Sequence, residues 1–68
     1  MNNKEVLFII KEIGRLKYQN NIKLCNFDCW FLFNITNRVN EAIVVTKDQE
    51  RYLMQILINI KDNNYKKK

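Results

Sequence analysis

From Val6 to Leu16 the apolar residues recur every three or four positions. Val6, Ile9, Ile10, Ile13 and Leu16 share one side of a helix, and Lys4, Lys11, Glu12 and Arg15 share the other. Asn2 is a good N-cap by residue type, and Glu5 three positions later completes a capping-box pair, so a first helix is predicted from about Asn3. Gly14 either ends the helix or allows close packing inside it, and Leu16, which continues the stripe, favours the second. Phe8 breaks the pattern and falls among Lys4, Lys11 and Arg15. It is an isolated exposed ring on one reading and a contact for a protein or a base on the other.

A second helix is signalled from Thr46, with Gln49 at the capping-box position and Asp48 and Glu50 in the first turn. Leu53, Ile56, Leu57 and Ile60 form its core stripe. Met54 and Ile58 add an apolar strip wider than one neighbouring layer requires.

Between the two lies CNFDCWFLFNITNRVNEAIVVT, Cys25 to Thr46, rich in aromatic and β-branched residues. Three strands are predicted: Ile22 to Phe27, Cys29 to Thr36 after a break at Asn26 to Asp28 (preferred to one long strand from Ile22 to Thr36), and Glu41 to Thr46 after the loop Asn37-Arg38-Val39-Asn40. Tyr18 to Asn21 reads as a connector. The expected fold is α+β, a three-stranded antiparallel sheet flanked by an N-terminal and a C-terminal helix, in the order α-β-β-β-α. One domain covers residues 1–63, and residues 64–68 form a basic flexible tail.

Both faces of the expected sheet are apolar: Cys29, Phe31, Phe33 and Ile35 on one, Trp30 and Leu32 on the other. Either the helices cover opposite faces, or one face stays open as an interface, through which a homodimer or higher homo-oligomer would form.

Sixty-eight residues lie near the lower limit for a chain that buries its own core, so self-association or a partner is the expected supplement. With no His and no Ser, and with one glycine, the chain lacks the usual general base, the commonest nucleophile and a phosphate loop. An enzyme is not expected, and no cofactor or metal is. Cys25 and Cys29 make half a zinc site; on one strand they would be about 13 Å apart, too far for a disulfide. Buried, reduced thiols are expected. No apolar stretch reaches the ~20 residues of a membrane span, and the first residues do not read as a secretory leader, so the expected location is the cytoplasm of the producing or infected cell. Asn, Ile and Lys make up 29 of the 68 residues, a bias of A/T-rich codons that suits a phage, another mobile element or a low-GC bacterium.

The net charge of +5 is concentrated at the end of the chain: Lys66, Lys67 and Lys68 account for three of the five charges. The tail is either simply solvated or an arm that attracts phosphates.

The layout of a helix NNKEVLFIIKEI, strands IKLCNF, CWFLFNIT and EAIVVT, and a capped helix TKDQERYLMQIL resembles that of small phage anti-CRISPR proteins. The resemblance implies a small inhibitor of a defence component. Members are often acidic DNA mimics; this chain is basic, so neither mimicry nor any functional residue carries over.

Two functions follow. The first is a non-enzymatic interaction protein of phage or mobile-element type that binds and inhibits a host or defence component, with Phe8, Trp30, Leu32, Arg38, Met54 and Ile58 as contacts. The alternative is a small nucleic-acid or nucleotide binder, an oligomeric sponge or regulator. It would hold phosphates with Lys11, Arg15, Lys23, Arg38, Arg51 and Lys66 to Lys68, while Phe8 or Trp30 stacks on a base.

Overall fold

A computed structural model of the chain describes residues 2–62. Three helices follow one another: α1 (Asn3–Gln19), α2 (Asn26–Asn40) and α3 (Lys47–Lys61). α1 packs most extensively on α3, and α2 lies against both. The molecule measures 34 × 18 × 18 Å.

Both outer helices start where their caps require. The Asn2 Oδ1 accepts from the Glu5 amide at 2.9 Å, and the Glu5 carboxylate accepts from the Asn2 amide at 3.0 Å. The same reciprocal pair joins Thr46 and Gln49, at 3.2 and 3.0 Å. Of the predicted stripes, Val6, Ile9 and Ile13 of α1 are buried with Leu53, Ile56, Leu57 and Ile60 of α3 in one core, while Ile10 and Leu16 are half-buried against it. α1 runs through Gly14 to Gln19, so Tyr18 and Gln19 are helical rather than connector. The expected close packing at the glycine is absent: a Cβ built there meets nothing within 4 Å.

The α+β expectation is overturned. Among the described residues there is no strand and no sheet, and the α-β-β-β-α order is replaced by α-α-α. The predicted central strand, Cys29 to Thr36, lies inside α2, and the supposed break and loop that flank it are the first and last turns of that helix. A helical spacing had been present: Asp28, Phe31 and Ile35 are buried and Leu32 and Val39 half-buried, spaced three and four apart. Large apolar residues on the opposite face concealed it. Asn34 and Thr36, poor helix formers, donate from their side chains to the Trp30 and Leu32 carbonyls one turn back, both at 2.8 Å.

The outer two predicted strands fall in connectors, except that Asn26 and Phe27 at the end of the first belong to α2. Ile22 and Leu24 are buried and Lys23 and Cys25 exposed, an alternation that belongs to an extended connector with its apolar side on the core. Val45 does the same before α3. The basic tail, residues 64–68, lies outside the described residues.

α1 and α2 both end in a Schellman motif. After α1 the Ile22 amide donates to the Lys17 carbonyl at 3.0 Å and the Asn21 amide to that of Tyr18 at 3.3 Å. After α2 the Ile43 and Ala42 amides donate to Arg38 and Val39, at 2.8 and 3.1 Å. The motif requires a left-handed residue, supplied by Asn21 (φ 51°) and by Ala42 (φ 60°).

Candidate functional site, the outer face of α2

With Asp28, Phe31 and Ile35 turned to the core, the opposite side of α2 presents Phe27, Trp30 and Phe33, which are 57%, 60% and 65% exposed. The three follow one another at intervals of three residues and so form a stripe along the helix. Exposed Asn26, Cys29, Asn37 and Asn40 surround it. No exposed residue of α2 carries a charge, since Asp28 is buried and Arg38 is half-buried. An uncharged aromatic face is unusual on a chain with a normal charged fraction.

The stripe is held at one end. Phe27 meets Trp30 at a centroid separation of 5.9 Å and meets Tyr52 of α3 edge-on at 5.7 Å. Tyr52 also sits edge-on to Phe31 at 4.7 Å, which connects the surface rings to the core. The Tyr52 hydroxyl donates to the carboxylate of Asp28, which is 3% exposed. This bond, then burial and the nearby negative charge of Asp28, push the Tyr52 pKa up to about 12. Phe27 and Trp30 thereby have a fixed backing.

The expected contact residues are dispersed. Trp30 belongs to the stripe, but Leu32 and Met54 are half-buried and pack on the core. Arg38 is half-buried in the last turn of α2, and Ile58 is exposed on α3. Phe8 is exposed on α1 beside a shallow hollow lined by Asn2, Lys4, Glu5 and Ile9. Phe27, Phe33 and Tyr52 were not anticipated. Phe33 had been assigned to the same face as Phe31 by a strand period of two, whereas the helical period separates them.

The expected phosphate ligands do not form one site either. Lys11 and Arg15 lie a turn apart on α1. The Arg15 guanidinium is engaged in a bidentate pair with Glu12 (2.7 and 2.9 Å) and a bond to Gln19 at 3.0 Å. The hydrogen bond between Glu12 and Arg15 lowers the Glu12 pKa and raises that of Arg15. Lys23 lies in the first connector and Arg51 is exposed on α3. Lys66 to Lys68 are outside the described residues.

Cys25 and Cys29 are exposed free thiols at the start of α2, not buried ones. As N-cap and fourth residue of a helix they are one turn apart rather than at strand distance. Among the described residues no three His, Cys, Asp or Glu side chains are grouped to hold a metal, and no helix is long and apolar enough to cross a membrane. Compared with family models, with curated proteins and with solved structures, the chain matches none.

Proposed function

We propose that this chain is a non-enzymatic interaction protein that docks on a protein partner through the outer face of α2. The observation that carries the reading is the uncharged aromatic stripe Phe27-Trp30-Phe33, more than half exposed along one helix. Trp, Tyr and Phe are the residue types enriched at the energetic centres of protein interfaces, and a face without charges can be desolvated at low cost. The backing of Phe27 by Tyr52 limits the side-chain entropy lost on binding. Apart from the exposed thiols of Cys25 and Cys29, three side chains that could do chemistry are engaged in the fold itself. Thr46 caps α3, Thr36 bonds a backbone carbonyl, and Asp28 accepts from Tyr52.

Composition extends the proposal. The Asn, Ile and Lys bias fits an A/T-rich phage or mobile-element gene, and the partner class that follows is a host or defence component that this chain blocks. The reading places the protein in the cytoplasm, where exposed Cys25 and Cys29 stay reduced.

The test is a paired capture from lysate of the producing host, with the wild-type chain and with Trp30→Asp/Phe33→Asp as baits. Both substituted positions are exposed, so the variant retains its helical circular dichroism. A partner held by the wild type and weakened at least tenfold by the variant supports the assignment. Equal capture by both baits, or no specific capture by either, removes it. Sedimentation of both proteins shows whether the same face also joins copies of the chain.

A further inference from the structure

A second surface stands apart from α2. Where α1 ends and the first connector begins, a cleft of about 500 Å³ is lined by Gly14, Lys17, Tyr18, Asn21, Ile22 and Lys23. Its volume is within the range of small-molecule sites. The lining includes two cations from two different elements and no carboxylate. It also includes the most exposed aromatic ring among the described residues, Tyr18, at 80%. The left-handed turn at Asn21 reverses the chain here and brings Lys23 to the same hollow as Lys17.

Gly14 gives this cleft its significance. It is the only glycine of the chain and lies mid-helix, where glycine weakens an α-helix relative to alanine. Packing does not require it, because nothing in the protein comes within 4 Å of a Cβ placed there. Nor does backbone conformation, because the residue is helical. What the missing side chain leaves open is the cleft itself. A bare backbone beside two ammonium groups and an uncovered ring suits a planar, anionic ligand that approaches the main chain closely.

We propose that the cleft binds a nucleoside phosphate. Lys17 and Lys23 take the phosphate, Tyr18 stacks on the base, and Gly14 leaves the space that the base occupies. The same chemistry is offered by a free nucleotide and by one unit of a single strand.

The test is titration of the isotope-labelled full chain with AMP, with inorganic phosphate and with a short single-stranded oligoadenylate, followed by amide chemical shifts. All proteins carry Lys66→Gln, Lys67→Gln and Lys68→Gln, so that the tail does not contribute charge. AMP is expected to shift the amides of Gly14, Asn21 and Lys23 and to bind at least tenfold more tightly than phosphate. Gly14→Leu fills the cleft with a stronger helix former, so the variant keeps its fold and loses binding at least tenfold. Lys17→Glu/Lys23→Glu loses it as well. An oligoadenylate that binds these residues tenfold more tightly than AMP assigns the site to nucleic acid; equal affinity assigns it to the free nucleotide. Shifts that avoid the cleft, phosphate binding as tight as AMP, or unchanged AMP affinity in Gly14→Leu overturns the proposal.

Discussion

Ala42 is the residue whose conformation fits its side chain least. It holds φ 60° to close the Schellman motif after α2, a conformation that is awkward for any residue with a Cβ. Asn21 has the same task after α1, but asparagine enters the left-handed region readily. Ala42→Gly therefore removes strain, while adding entropy to the unfolded chain. We expect a net stabilisation of about 1 kcal/mol, a rise in melting temperature of roughly 4–8 °C for a domain of this size. Asn21→Gly should change stability by less than half as much. Thermal unfolding followed by circular dichroism measures both, and a destabilised Ala42→Gly would show that the turn is not left-handed.

Between elements, the Asp28–Tyr52 bond attaches the first turn of α2 to α3, the pair of helices with the least mutual packing. Loss of a hydrogen bond to a charged group costs about 1.5–3 kcal/mol, and Tyr52→Phe should fall at the low end because the ring is partly exposed. The linkage has a definite sign. The folded-state pKa of Tyr52 lies near 12, above the ordinary value of 10. The fold thus favours the protonated hydroxyl. Its contribution is fully present below pH 10 and is lost as pH rises from 10 towards 12, where the unfolded chain releases the proton first. Urea unfolding of wild type and Tyr52→Phe should give a stability difference that is constant up to about pH 10 and shrinks above it. A difference that grows with pH would contradict the bond.

The same helix shows how far the residues alone disclose the fold. α1 and α3 are legible because caps and stripes agree: Asn2 with Glu5 and Thr46 with Gln49 mark their starts, and one face of each is apolar. α2 sends mixed signals. Its aromatic and β-branched content favours a strand, its N-cap Cys25 makes no side-chain cap bond, and its outward face carries three large aromatic rings. Its helical conformation is set by burial of Phe31 and Ile35 against the other two helices, a tertiary effect that outweighs propensity. The excess of apolar surface was visible in the sequence; its place was not, because a period of two put Trp30 and Phe33 on opposite faces. A period near three and a half puts them on one.

For the whole molecule, stability of roughly 0.05–0.15 kcal/mol per residue implies a total of about 3–10 kcal/mol, so any one core side chain weighs heavily. Among the described residues the large side chains buried almost completely are Val6, Ile13, Ile35, Leu53, Ile56 and Ile60. Ile35 is the one that α2 contributes, and it holds the aromatic face in position from behind. Truncating a buried isoleucine to alanine costs about 2–5 kcal/mol, which is comparable to the whole stability of so small a chain. Ile35→Ala should therefore lose its cooperative urea transition or shift it to very low denaturant, and Ile35→Val should lose only about 0.5–1.5 kcal/mol. Ile58→Ala, the same chemical change at an exposed position of α3, should stay within about 0.5 kcal/mol of wild type. Trp30 is the only tryptophan and sits on the face that Ile35 supports, so its fluorescence and the helical dichroism should report one coincident transition in wild type. If Ile35→Ala proves as mild as Ile58→Ala, or if Trp30 reports an earlier transition than the helices do, α2 is not an integral layer of the core and its stripe is not rigidly presented.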